Sequence, residues 1–87
     1  MNILKEANRI VNERSEEKKR QYGSFSDSMD SMRDIFNAMT GYKLTTEDMF
    51  MAMLALKLSR QKHSHKEDNL LDAVAYMGAL NNYANKK

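Results

Sequence analysis

Apolar side chains recur along this chain at spacings of three and four, the period of an amphipathic helix, in four separate stretches. The first, about residues 2–21, places Ile3, Ala7, Ile10 and Val11 on one stripe. It then turns wholly polar in NERSEEKKRQ, where Glu13, Glu16 and Glu17 precede Lys18, Lys19 and Arg20 in the order that suits the helix dipole. The second, about 27–40, follows Ser26 or Asp27 as N-cap and carries Met29, Met32, Ile35, Phe36 and Met39. The third, about 46–62, is capped by Thr45 or Thr46, has Glu47 and Asp48 in its first turn, and has Met49, Phe50, Met53, Leu54 and Leu58 as its buried side. The fourth, about 65–84, opens on a capping box of Ser64 and Glu67.

This last stretch is apolar over more than one face, with Leu70, Leu71, Ala73, Val74, Ala75, Tyr76, Met77, Ala79 and Leu80, which suits a central helix or one shared with another subunit. Gly78 beside Ala75 and Ala79 leaves room for a close helix approach. Gly23 and Gly41 stand where helices should stop, and no proline interrupts the pattern. The expected fold is therefore all-α: a single helical domain over 1–87, four helices, the last two forming an antiparallel hairpin. A domain of 87 residues buries only about 60 to 65% of its unfolded surface, so completion by homo-oligomerisation is expected.

Composition changes this picture little. The chain has no cysteine, which removes disulfides and cysteine zinc sites and suits a reducing cytoplasm. No apolar run approaches the roughly 20 residues of a bilayer span, and residues 1–20 lack a signal-peptide core, so a cytoplasmic protein with no membrane partner is expected. A net charge of +2, with the basic residues of the first helix interleaved with acids, makes nucleic acid a poor partner.

Candidate chemistry gathers in RQKHSHKEDNLLDAVAYMGAL, residues 60–80. If the hairpin turns near His63, Ser64 and His65, then Lys57 lies opposite Asp72, and Arg60 opposite Asn69 with Asp68 one step away. Asp72 sits between Leu71 and Ala73, and the Lys57 stem follows Met53 and Leu54. Neither charge is tolerable alone in such surroundings, which makes the two partners. One reading is a structural ion pair that sets helix register. The other is a basic pocket in which Lys57, Arg60, Lys62, His63, Lys66 and Arg20 receive phosphate groups near a helix N-terminus, with Asp68 and Asp72 orienting the cations or binding ribose.

His63 and His65 are poorly spaced as metal ligands and lack a third nitrogen, so no metal site is expected from them. Tyr22, Tyr42, Tyr76 and Tyr83 suit packing with a wet hydroxyl, or stacking on a base. The methionine stripe reads as core or as an adaptable oligomer surface. Nucleophilic catalytic constellations and Gly-rich phosphate loops are absent.

EEKKRQYGSF (16–25), EDMFMAMLALKLSR (47–60) and HKEDNLLDAVAYMGAL (65–80) together resemble a family of small, functionally uncharacterised helical proteins of phages and prophages. Its pattern is an Arg-x-Tyr-Gly turn, a Lys-x-x-Arg helix and a final helix with Asp-x-x-x-Asp and a Tyr. Arg20, Tyr22, Gly23, Lys57, Arg60, Asp68, Asp72 and Tyr76 stand at the matching positions. More distantly, the arrangement is similar to all-α nucleoside triphosphate pyrophosphohydrolases of the MazG type, which hold magnesium with Glu-x-x-Glu and Glu-x-x-Asp pairs. Glu13 and Glu16 match the first pair in spacing, but no Glu-x-x-Asp exists downstream. Asp68 and Asp72, on one helical face, would have to substitute as ligands.

Three expectations follow. The first is a non-catalytic, phage-type protein that holds a nucleotide or nucleotide-derived anion without a cofactor, using Arg20, Tyr22, Lys57, Arg60, His63, Lys66, Asp68, Asp72 and Tyr76. For a protein of that phage type, the resemblance implies one use, sequestering a signal of host immunity in the host cytoplasm. The second is a magnesium-dependent pyrophosphohydrolase with Glu13, Glu16, Asp68 and Asp72 as ligands. The third is an inhibitor or adaptor that binds a protein.

Overall fold

The computed structural model describes residues 2–12 and 24–85, and among these the regular structure is four helices: α1 (Ile3–Asn12), α2 (Phe25–Thr40), α3 (Thr46–His63) and α4 (Glu67–Asn85). α4 is central, packed most extensively against α3 and α1, while α2 lies across α3 and touches α4. The polar half expected of the first helix, together with Gly23, lies outside the described residues.

Two small clusters form the interior. Met29 of α2, Met49 and Phe50 of α3 and Ala79 of α4 are buried together, and Val11, Phe25, Met53, Tyr76 and Tyr83 pack around them. Phe50 meets Tyr83 at 5.7 Å between ring centroids, and Phe25 meets Tyr76 edge-on at 5.5 Å. The second cluster, Ala7, Leu71 and Ala75, seats α1 on α4. Val11 touches both clusters and also approaches Gly78, where an added Cβ would meet its Cγ2 at 3.6 Å, an ordinary contact. Gly78 therefore faces a side chain with room for a methyl group and not a closely approaching backbone, while Ala75 and Ala79 are buried in the two clusters.

Several boundaries differ from the expected ones for local hydrogen-bonding reasons. α2 begins two residues early: Ser24, not Ser26 or Asp27, is the N-cap, its hydroxyl accepting from the Asp27 N–H at 3.1 Å. That start puts Phe25 in the helix, where its ring reaches Tyr76. Ser64 does not open α4. It ends α3, donating its N–H to the Arg60 carbonyl at 3.1 Å, while Gln61 Oε1 of α3 accepts the Lys66 N–H at 3.3 Å ahead of α4. Thr45 caps α3 as expected, in a reciprocal box with Asp48 at 3.1 and 2.8 Å. Gly41 stops α2 at φ 77°, its N–H on the Asn37 carbonyl at 2.8 Å.

Burial also corrects the expected helix faces. Leu58, expected on the buried side of α3, is half exposed. On α2, Met29 is buried, whereas Ile35 and Met39 point outward at 61% and 78% exposure. Their spacing is helical, but the core cluster is reached only by the arc of α2 that carries Met29, Met32 and Phe25.

Candidate functional site

The α3–α4 hairpin places the Lys57 Nζ 3.0 Å from Asp72 Oδ2, which is the pairing that the hairpin register required. The Lys57 side chain is 15% exposed and that of Asp72 41%, so the bond lies at the edge of the interior and is wet on the carboxylate side. Three residues on, Arg60 leaves the packed region, and Arg60, Lys62, His63, His65 and Lys66 are all exposed around the turn. Arg60, Lys62 and Lys66 have no ion-pair partner among the described residues, whereas Gln61 Nε2 lies 2.7 Å from His65 Nδ1 and fixes that ring against α3.

The turn therefore presents three unpaired cations at the C-terminus of one helix and the N-terminus of the next. The exposed first-turn acids Glu67 and Asp68 stand beside them. Such an end can take up an anion through side-chain charge and the positive end of the α4 dipole.

The remaining expected site residues are dispersed. Asp68 is exposed and one turn from Asp72. Tyr76 is partly buried, and its ring meets Phe25 edge-on beside the core. Arg20 and Tyr22 lie outside the described residues, as do Glu13 and Glu16. No group of three or more His, Asp or Glu residues that could hold a metal ion occurs among the described residues, and Asp72 spends one carboxylate oxygen on Lys57.

A second polar centre went unnoticed in the sequence. Thr46, 2% exposed, donates its hydroxyl to Asp30 Oδ1 at 2.7 Å and accepts from Arg33 Nη1 at 2.8 Å, tying the start of α3 to the middle of α2. Arg33 also bonds Asp34 at 2.9 Å, and that hydrogen bond, with Asp30 and Tyr83 nearby, raises its already high pKa further. The opposed charges of Asp30 and Arg33 three residues apart were a legible signal, but Thr46 read only as an alternative cap. On α1, the Arg9 guanidinium bonds Glu6 and holds its carboxyl below the usual glutamate range.

Two surface grooves lie away from the basic turn. One runs along α2 past Met32, Ile35, Phe36 and Met39; the other lies between α1 and α4, past Ala7, Val11, Val74 and Gly78. No helix among the described residues is long and apolar enough to cross a membrane. A family model described as a domain of unknown function (DUF6378) matches residues 2–84. No curated protein and no solved structure matches the chain.

Proposed function

The chain belongs to the DUF6378 family of domains of unknown function, and from that premise we propose that it is a non-catalytic protein binding a nucleotide or nucleotide-derived anion at the α3–α4 turn. The observation that carries this reading is the set of exposed cations Arg60, Lys62 and Lys66, with no ion-pair partner among the described residues, on a hairpin whose inner charge, Lys57, is held by Asp72. Phosphate oxygens supply the partner those cations lack, and planar Arg60 suits a two-point contact. In a phage-type protein, retention without turnover would withdraw a nucleotide signal of host immunity from circulation.

The pyrophosphohydrolase reading needs Asp72 on magnesium, and the Lys57 bond competes directly for that carboxylate. The experiment is mass spectrometry of small molecules released by denaturing the purified protein, beside incubation with a nucleotide panel with and without magnesium. Intact nucleotide without pyrophosphate, lost in Arg60→Ala and in Lys57→Ala, supports retention. Magnesium-dependent nucleoside monophosphate and pyrophosphate would establish the enzyme instead. If neither appears, the anion site falls and protein binding becomes the leading reading.

A further inference from the structure

The outer face of α2 is apolar over a wider arc than its own core uses. Met32 reaches the buried cluster, but Ile35, Met39 and Tyr42 are 61%, 78% and 61% exposed, and Phe36 is 36% exposed. The Tyr42 ring folds back on Phe36 with centroids 6.1 Å apart, so the patch continues past the helix end into the following loop. These four side chains leave on the order of 500 Å² uncovered, near the top of what a monomer ordinarily shows in one patch. Two copies would together remove roughly 1,000 Å², the lower bound of a specific interface.

What covers such a face has to match it. Residues 13–23, which the structure does not describe, contain no aliphatic side chain to lay in an aliphatic groove. A second copy of the same face does match. The N-terminal half of the patch is small, with Ser28 and Ser31; the C-terminal half is large, with Met39 and Tyr42. Turned antiparallel about Ile35, each helical position faces its mirror in the numbering, so Ser31 meets Met39 and Met32 meets Ala38, while Ser28 comes to the end of the partner helix, where the chain turns at Gly41 into the loop that carries Tyr42. At the Ser31–Met39 and Met32–Ala38 pairs large then sits against small, with Ile35 on Ile35 between them, whereas a parallel pairing would set Met39 on Met39.

At each end the same register brings Asp27, in the first turn of α2, to the loop of the other copy that carries Lys43. Both are exposed, and neither has an ion pair among the described residues. We propose that a second copy of this chain packs antiparallel on the exposed face of α2, with Ile35 on the two-fold axis, to form a homodimer.

The cysteine-free sequence makes the register directly testable. Under mild oxidation Ile35→Cys should cross-link with itself. A mixture of Asp27→Cys and Lys43→Cys chains should give a mixed dimer that neither forms alone, and Leu4→Cys, as exposed but on α1, should stay uncrosslinked. In sedimentation the unmodified protein should run as a dimer. Ile35→Lys, placing two like charges at the axis, should weaken association on the order of 100-fold or more with unchanged helical content, since the site is exposed in the monomer. A monomeric parent protein, a dimer that survives Ile35→Lys, or Leu4→Cys cross-linking in preference to Ile35→Cys would overturn the proposal.

Discussion

Replacing Asp72 by Asn strands the Lys57 ammonium, and the size of the loss measures how far the pair lies inside the protein. Unit charges about 4 Å apart attract by about 1 kcal/mol in water and about 4 kcal/mol at the effective dielectric constant of a protein surface. Desolvation takes much of the larger figure back. With Lys57 15% exposed and Asp72 41%, the bond stands between an exposed pair, worth about 0–1 kcal/mol, and a buried one whose breaking costs about 3–5 kcal/mol. Asp72→Asn should therefore cost about 1–2 kcal/mol, which at this chain length lowers Tm by about 4–16 °C. Lys57→Met keeps the stem on the apolar side and strands only the wetter carboxylate, so it should cost less than about 1 kcal/mol. Urea unfolding of both single variants and the double, followed by helical circular dichroism, should show coupling of at least about 0.5 kcal/mol. A neutral Asp72→Asn, a costlier Lys57→Met, or strict additivity would refute the reasoning.

Three further substitutions or titrations bear on separate parts of the fold. Thr46→Val keeps the buried volume but removes two hydrogen bonds to charged groups; because Asp30 and Arg33 can rehydrate, chemical denaturation should show a loss of about 1–3 kcal/mol. Gly41→Ala meets no atom within 4 Å, so its cost is backbone strain alone, about 1–2 kcal/mol in thermal unfolding. By carbon-detected NMR the Glu6 carboxyl should titrate below the ordinary glutamate range and return to it in Arg9→Ala. A depressed carboxyl favours the folded state at pH above its unfolded value and ceases to do so as pH falls through the folded one, a small effect for so exposed a group.

The helices were legible because apolar residues recur at spacings of three and four in each of the four stretches, and the Lys57–Asp72 contact was legible because a hairpin turn of known place fixes which residues oppose each other. Orientation was not. Met29, Ile35 and Met39 share one stripe, and nothing in their spacing says that the core reaches only the first. The caps failed for a related reason: Ser24, Ser26 and Asp27 are all competent, as is Ser64, and packing of Phe25 and the reach of Gln61 decided among them. Tyr76 is the same case, since nothing in its spacing says that its ring meets Phe25. Periodicity fixes what lies on a face, while the choice among equivalent partners belongs to three-dimensional packing.

Asn37 lends that point a kinetic meaning. Its side-chain amide donates to the Leu44 carbonyl and accepts from the Leu44 N–H, both at 3.0 Å, while its own carbonyl takes the Gly41 N–H. One residue thus splints the whole α2–α3 corner from both sides. The Leu44 amide, though it belongs to a loop, should exchange its hydrogen with solvent more slowly than a solvated loop amide, because its N–H must first leave the Asn37 side chain. Local opening is then left to the other corner, where the basic turn is joined to α3 by side-chain bonds from Gln61 and is able to breathe without loosening the core.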